Sequence, residues 1–305
     1  MIDAIVTIPP YAPFIEEVAQ HPLVSGLRLN TVMPIKGGRT KATLEETLKR
    51  LQERAGGKEI YLDLKCRQLR VKTFGVPPFT EIELTHALSV DTPTRAYFSD
   101  GKQFAEVVAV DGNRLIMAEG PQRVIGPGES VNIPDPSLKV DGYFTDTDLL
   151  YIEAAQSVGL HTYMLSFVEE AADLAALLKE DPQAKPVLKI ESVKGLNYVA
   201  KEWKGEGRLM VGRGDLYVEL LPYPHRIIPA LEKIVGKDEK AILASRVLTS
   251  MSSSYIPSSQ DISDVDSVVR MGYKTLMLGD DVCLKRDSVL GALNVLRAMA
   301  EGYDG

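Results

Sequence analysis

The chain has 305 residues, of which 45% are hydrophobic and 25% charged, a composition that supports one large α/β domain with a sizeable core. A net charge of −7 argues against nucleic acid or an anionic membrane as the main partner. The N-terminal apolar run is short and has no basic residues before it, and no run of about 18 apolar residues follows. We therefore expect neither an export signal nor a membrane span, and a cytoplasmic location.

The first part of the chain alternates between strands and helices. Apolar runs and helical spacing predict these elements at residues 4–8 (strand), 14–20 (helix), 24–30 (strand), 43–54 (helix) and 59–64 (strand). Thr43 is the expected N-cap of the second helix, because Glu46 follows at the spacing of a capping box. The second strand ends in Arg28 and Asn30, and the third strand contains Asp63 near its end. Polar groups therefore collect where these strands finish.

The pattern changes after the third strand. From residue 71 to 141 there is no helical periodicity, and short β-rich runs appear instead. Asp111-Gly-Asn113 predicts a hairpin turn between two of them. We interpret 71–141 as a small, lid-like all-β domain inserted after strand three, with residues 1–70 and 142–305 forming the main domain.

The alternation resumes after the insertion. Strands are expected at 160–168, 185–190, 208–211, 241–245 and 274–278, and helices at 145–158, 170–179, 193–203, 222–235, 261–271 and 286–300. Eight strands and eight helices in strict alternation predict a (β/α)8 TIM barrel. In such barrels the chemistry lies at the carboxyl ends of the strands.

Three charged residues at strand ends define the candidate site. Lys189, Glu191 and Asp215 end apolar runs, and burying them unpaired would be costly. Glu191 and Asp215 have the ligand chemistry to hold one hard divalent cation, with Lys189 beside it as a fixed positive charge. Gly212 and Gly214 let the backbone approach a ligand, and free N–H groups there favour an anion.

Together these segments resemble the pyruvate kinase family, in the family's order and over nearly the whole chain. Gly26-Leu-Arg-Leu-Asn30 resembles its arginine–asparagine strand, and Leu62-Asp-Leu-Lys-Cys-Arg-Gln-Leu-Arg70 its Asp-Thr-Lys-Gly-Pro-Glu-Ile-Arg segment. Lys189-Ile-Glu191-Ser is similar to Lys-Ile-Glu-Asn. Gly212-Arg-Gly-Asp-Leu-Tyr-Val-Glu219 is similar to Ala-Arg-Gly-Asp-Leu-Gly-Val-Glu. Ala244-Ser-Arg-Val-Leu-Thr-Ser-Met251 is similar to Ala-Thr-Gln-Met-Leu-Glu-Ser-Met.

The resemblance implies a role for each matching residue. Glu191 and Asp215 would bind Mg2+ or Mn2+. Lys189 would neutralise the phosphoryl group in transfer or the developing enolate oxygen, with Arg28 and Arg70 near the phosphoryl group. The implied positions for a monovalent cation, K+, are Asn30 and Asp63, and those for the substrate carboxylate are Gly212, Arg213, Gly214, Asp215 and Ser245.

Departures from the family pattern concentrate on the nucleotide and potassium side. Val32 replaces a serine that supplies a potassium ligand, and Gln68 replaces a glutamate. Glu129 stands where a lid lysine is expected, and Glu169 where an arginine is expected. Pro257-Ser-Ser-Gln-Asp261 lacks the arginine that reaches a neighbouring subunit. The chain ends after the eighth helix, so we expect the family's C-terminal domain to be lacking.

Three functions follow as expectations. The first is a glycolytic, Mg-dependent phosphotransferase acting on phosphoenolpyruvate or pyruvate with ADP or ATP. The second is a nucleotide-independent decarboxylase or aldol-type lyase on a 2-oxo acid, which Glu129 and Glu169 favour. The third is a degenerate protein that binds a small carboxylate. A homo-oligomer is possible in each case. A further hypothesis is that Lys36, Arg39 or Lys41 meets a second anionic group.

Overall fold

The computed structural model describes residues 2–303. Its strands are β1 (Asp3–Thr7), β2 (Val24–Asn30), β3 (Glu59–Leu64), β4 (Glu81–Glu83), β5 (Leu88–Ser89), β6 (Thr94–Phe98), β7 (Gln103–Asp111), β8 (Arg114–Met117), β9 (Val131–Asn132), β10 (Lys139–Val140), β11 (Thr162–Leu165), β12 (Lys185–Ile190), β13 (Arg208–Gly212), β14 (Ile242–Ala244) and β15 (Thr275–Leu278). Its helices are α1 (Ile15–Ala19), α2 (Lys41–Arg54), α3 (Asp146–Ser157), α4 (Ala171–Glu180), α5 (Val193–Lys201), α6 (Arg213–Glu219), α7 (Ile227–Lys237), α8 (Ser259–Met271), α9 (Asp280–Cys283) and α10 (Arg286–Tyr303). Short 3-10 helices cover Pro224–Arg226 and Thr249–Ser252.

Parallel strands close into a barrel in the order β1-β15-β14-β13-β12-β11-β3-β2. These strands are buried on both faces, since their inner side chains fill the barrel and their outer ones meet the helices. The interior packs around Ile5, Met164, Val187, Met210 and Met277. All strands run the same way, so their carboxyl ends meet at one mouth. The predicted (β/α)8 barrel is confirmed.

The helices surround the barrel and begin at polar caps. Thr145 caps α3 by accepting the backbone N–H of Asp148, as the sequence suggests. The predicted cap of α2 is wrong, because Thr40 caps that helix and Thr43 is its third residue. The side chain of each threonine accepts the backbone N–H of the other, which makes a capping box. Thr43 occupies the third helical position of this box, where a glutamate or glutamine is usual.

The insertion after β3 is all-β, as predicted. A five-stranded antiparallel sheet has the order β4-β8-β7-β6-β9, and β5 pairs with β10 in a small second sheet. Gly112 turns the β7–β8 hairpin with a φ of +58°, which agrees with the predicted turn. The insertion has its own apolar core, which includes Leu84, Phe98 and Leu115. We call the residues from 71 to 141 the lid, and its boundaries stay a prediction.

The alternation of strands and helices is less strict than expected. Helix α6 follows β13 directly, and α9 follows β15, so Arg213–Glu219, to which the sequence assigned no element, is helical. Periodicity could not reveal these helices because each has seven or fewer residues. Both start at the barrel mouth. Among residues 2–303, every helix is too short or too polar to cross a membrane.

Candidate functional site

A cleft of about 560 Å³ lies between the barrel mouth and the lid. Its barrel wall includes Arg28, Lys189, Glu191 and Asp215, and its lid wall includes Glu129. All four barrel residues lie at the carboxyl ends of strands or immediately after them. The structure thus brings the charged strand ends of the sequence to one place.

Asp63 is the centre of a cluster of buried cations. Its side chain is fully buried on β3. Arg28 Nε donates to it at 2.9 Å, and the ammonium groups of Lys65 and Lys189 each lie 3.1 Å from its oxygens. Burial alone would raise the pKa of Asp63, but these three cations hold it well below its usual range. Asp63 therefore stays ionised and anchors an excess of positive charge.

Lys189 joins this cluster to the acidic side of the cleft. Its ammonium donates to Ser166 Oγ at 2.8 Å and lies 3.2 Å from Glu191 Oε1. Burial opposes the charged form, but the carboxylates of Asp63 and Glu191 outweigh it and raise the pKa of Lys189. The lysine is therefore a fixed ammonium, held by three side chains that point it into the cleft.

Glu191 and Asp215 have fewer partners than their charge requires. Glu191 is 2% exposed, accepts the N–H of Phe167 at 3.0 Å and shares Lys189 with Asp63. Burial, reinforced by the charge of Asp215, raises the pKa of Glu191 to about 7. Asp215 accepts from the amide of Gln68 at 3.1 Å. These carboxylates lie where a further cation would stabilise them.

The donor set fits a divalent cation of the magnesium type. Glu191 and Asp215 supply hard oxygen ligands, and Mg2+ commonly takes one or two carboxylates and keeps its remaining positions for water and substrate. A Cβ on Gly212 would overlap the carboxylate of Glu191, so this glycine makes room for the first ligand. Across residues 2–303, no set of three or more acidic, cysteine or histidine side chains is arranged as a metal cage. Any ion here would depend on the substrate for part of its coordination.

The backbone from Gly212 to Asp215 opens helix α6. The first N–H groups of a helix have no partner within the helix, so they can donate to an anion. The Arg213 side chain turns away, donating to Asp264 at 2.7 and 2.9 Å and to the Ser245 carbonyl at 3.1 Å. Only the backbone of Arg213 is thus near the cleft, whereas Ser245 lines it directly.

Residues with left-handed backbone geometry gather around the cleft. The non-glycine residues with positive φ among those described are Cys66, Ser99, Asp100, Phe167, Ser245, Arg246 and Leu248. Most follow the barrel strands β3, β11 and β14, and the other two lie in the lid loop on the cleft wall. Such geometry costs energy and persists where the surroundings impose it. Strain is therefore concentrated at the candidate site.

The residues proposed for a monovalent cation face other partners. Asn30 donates its amide to Asp280 at 3.0 Å, and Asp280 also accepts from Arg28 at 3.2 Å. Asp63 is occupied by its three cations. Val32 lines the cleft without an oxygen in its side chain. Asn30 therefore faces Asp280 and Asp63 faces its cations, with Arg28 joining the two carboxylates.

Arg70 is held by neutral groups. Its guanidinium donates to Gln68 Oε1 at 3.0 Å and to the carbonyl of Gly128 in the lid. Gln68 in turn donates to Asp215, which a glutamate in its ionised form could not do. Burial lowers the pKa of Arg70. The replacement of a family glutamate by Gln68 thus leaves the arginine without a neutralising carboxylate.

The two acidic departures from the family pattern each have an arginine partner. Glu129 lies 2.6 Å from Arg123, and Glu169 lies 3.3 Å from Arg67. These pairs link sequence positions 6 and 102 apart, respectively. Arg123 thus compensates Glu129, whereas Glu169 shares Arg67 with Glu170 and Asp173, so the surroundings of Glu169 stay acidic.

Sequence reasoning missed Lys65, Asp280 and Asn132. Lys65 completes the cation cluster, and burial lowers its pKa to about 7. Asp280 joins the site from the start of α9. Asn132 of the lid donates to Asp215 at 3.2 Å, so it connects the lid to the barrel mouth. Lys65 had a usable signal, its place in the charged segment after β3, whereas the other two depend on tertiary contacts.

The barrel domain of pyruvate kinase, as a family model, matches residues 82–283, which is more than half of the chain. The chain is 27% identical over 212 residues to a pyruvate kinase of Mycoplasma genitalium, covering 66% of this chain and 40% of that protein. It is 25% identical over 229 residues to pyruvate kinase 2 of Saccharomyces cerevisiae, covering 72% and 44%. It is 26% identical over 228 residues to a pyruvate kinase of Methanocaldococcus jannaschii, covering 71% and 50%.

The chain thus spans half or less of the length of these relatives. The matched region contains the barrel strands from β11 onward and most of the lid. Lys189, Glu191, Asp215 and Ser245 all fall within it. Taken with the closed barrel and its inserted sheet, the match shows that this chain belongs to the pyruvate kinase family.

Proposed function

We propose that this protein is a Mg-dependent enzyme that transfers a phosphoryl group between phosphoenolpyruvate and ADP. The observation that carries the proposal is the buried Lys189 ammonium, fixed between Asp63 and Glu191 at the edge of the cleft. Phosphoryl transfer and enolate formation both develop negative charge, and a preorganised cation in a water-poor site stabilises it. The named relatives, all pyruvate kinases, support the same substrates.

The protein side chains divide the work by charge. Lys189 neutralises the enolate oxygen as it forms, and Arg28 and Arg70 lie near the phosphoryl group. The substrate carboxylate would accept from the N–H groups that open α6 and from the Ser245 hydroxyl. Because Asp63 already holds Arg28 and Lys189 in place, little reorganisation is needed when the substrate binds.

Glu191 and Asp215 are the residues that would hold the metal. A bound Mg2+ would supply Lewis acidity toward the substrate oxygens. Asn132 and Gln68 hold Asp215 by hydrogen bonds, and Phe167 holds Glu191. These contacts orient the carboxylates before any ion arrives.

Product analysis by NMR tests the proposal directly. The protein is supplied with Mg2+, ADP and phosphoenolpyruvate, and separately with pyruvate or oxaloacetate alone. We expect ATP and pyruvate in the first sample. Deuterium exchange at the pyruvate methyl or CO2 release without nucleotide, together with no ATP, would instead support the lyase-type reaction. Binding without turnover in every sample would refute an enzymatic role.

A further inference from the structure

A second cavity, of about 360 Å³, opens beside the cleft. We call it the annex. It shares Lys65, Gln68 and Arg70 with the cleft wall, and its far side is formed by Arg39 and the start of helix α3. The two spaces are therefore neighbours separated by a wall of polar side chains.

The annex is strongly basic. Arg39, Lys65, Arg70 and Lys72 line it, and Asp148 is its one acidic residue among those described. Lys72 is exposed and pairs with Glu83, which lies outside the lining, at 2.9 Å. A small cavity with this balance attracts anions.

Asp148 offsets one of these positive charges, but the chain already uses both of its oxygens. The backbone N–H groups of Lys65 and Cys66 donate to it at 2.8 and 3.0 Å. The N–H and hydroxyl of Thr145 donate at 3.0 and 2.8 Å. With four donors in place, this carboxylate is a structural link between the end of β3 and helix α3.

The two arginines of the annex are held by neutral acceptors. Arg39 donates to the carbonyls of Val32 and Met33 at 2.9 and 3.2 Å. Arg70 donates to Gln68 and to a lid carbonyl. Over residues 2–303, neither guanidinium lies within ion-pair distance of a carboxylate. Both are positioned and charged without a counterion.

The neighbouring basic residues of the same loop differ in this respect. Lys41 pairs with Glu153 at 2.7 Å, and Lys36 lies over the ring of Tyr11. Of the three candidates for a second anion, Arg39 alone lines the annex. The loop therefore contributes one cation to this cavity.

We propose that the annex binds a phosphate group. Two guanidinium groups without a carboxylate partner, beside the ammonium groups of Lys65 and Lys72 that pair with Asp63 and Glu83, suit a phosphate with its several acceptor oxygens. The phosphate would belong either to the far end of a molecule whose other end lies in the cleft or to a separate ion. The proposal for the annex depends on Arg39 and Lys72, two residues that have no role in the proposed reaction.

Phosphate titration of the whole metal-free chain, followed by 31P NMR or calorimetry, tests the annex. Arg39→Gln and Lys72→Gln should each weaken binding about tenfold, the loss expected for one charge-assisted contact. Lys41→Gln removes the same charge two residues away, at the start of α2, and should leave the affinity within about twofold. Two results would overturn the proposal: a parent protein that fails to bind phosphate at about 10 mM, or both annex variants binding as the parent does.

The source of the phosphate is distinguished by a second ligand. If saturating oxalate and Mg2+ leave phosphate binding intact, the annex takes a separate ion. If 3-phosphoglycerate binds more tightly than phosphate and loses that gain in both Arg39→Gln and Lys189→Met, one molecule spans both spaces. Phosphate binding that survives Glu191→Gln would support the annex even if the proposed metal-dependent reaction fails.

Discussion

The two halves of the cleft handle buried charge in opposite ways. Around Asp63, one carboxylate is surrounded by Arg28, Lys65 and Lys189. In the other half, Glu191 shares Lys189 with Asp63, and Glu191 and Asp215 otherwise depend on amide and backbone donors. The first half carries an excess of positive charge, and the second half an excess of negative charge.

This difference shows what each half is prepared to receive. Buried charge without a partner is costly, so the acidic half is most stable with a proton or a metal ion bound. The basic half has cations fixed in place, so a bound anion would stabilise it. Lys189 contacts both halves, so the loss of its ammonium charge should affect both of them.

Removing Lys189 should have the largest effect, because its ammonium contacts both halves. For Lys189→Met we expect kcat to fall about 10²- to 10³-fold, as for the loss of a preorganised donor to a developing oxyanion. Steady-state kinetics with phosphoenolpyruvate and ADP measures the change. Lys185→Met is the matched control, because Lys185 lies on the same strand at the opposite end of the barrel. Unchanged kcat in Lys189→Met would remove the basis of the proposed function.

Neutralising Glu191 tests whether the acidic half binds the metal ion. Glu191→Gln keeps the shape of the side chain but removes a ligand charge, so we expect Mg2+ affinity to fall at least about tenfold. Calorimetric titration measures it, with Glu202→Gln at the exposed end of α5 as control. Equal Mg2+ affinity in parent and Glu191→Gln would place the ion elsewhere.

Glu219 extends the acidic half and gives it a pH dependence. Burial raises its pKa from 4.5 to about 8. Between these values the unfolded chain binds fewer protons, so the free energy of unfolding falls as pH rises. Glu219→Gln should therefore be more stable than the parent by about 1–2 kcal/mol at pH 8.5 and equal to it near pH 4.5. Urea denaturation in EDTA checks this, and a pH-independent difference would contradict it.

Gln68 lies between the halves, and its replacement should have the smallest effect. Gln68→Glu would add a carboxylate beside Asp215 and give Arg70 a counterion. We expect phosphate affinity to fall about two- to fivefold because the new carboxylate offsets the charge of Arg70, and the melting temperature to fall because Gln68 is buried beside Asp215. Phosphate titration measures it, and tighter binding in Gln68→Glu would mean that Arg70 does not face the anion.

The sequence was sufficient for the barrel because eight apolar runs alternate with helical segments, and several of those runs end in charge. Lys189 and Glu191 carry charges that the interior of a strand does not tolerate, so their positions in the sequence already mark the barrel mouth. Helices α6 and α9 escaped detection, since one or two turns carry no usable periodicity. The α2 cap was misplaced by one turn because Thr40 and Thr43 both satisfy the residue preference for a cap.

The charge balance of the site was less predictable than its location. Glu129 looked unpaired in the sequence, yet Arg123, six residues earlier, pairs with it. Glu169 contacts Arg67, which comes from the loop after β3. The second pair depends on tertiary packing. A substitution that reverses charge in a motif therefore says little about the local field until the partner is known.

The left-handed residues at the mouth bear on how this protein could be engineered. Glycine at Ser245 or Arg246 would relieve backbone strain and raise the melting temperature. It would also increase the flexibility of the segments after the barrel strands, which position the charged side chains of the cleft. A library selected for thermal survival alone should accumulate glycine and asparagine at these positions and lose turnover, whereas one selected for both should change the outer helices instead.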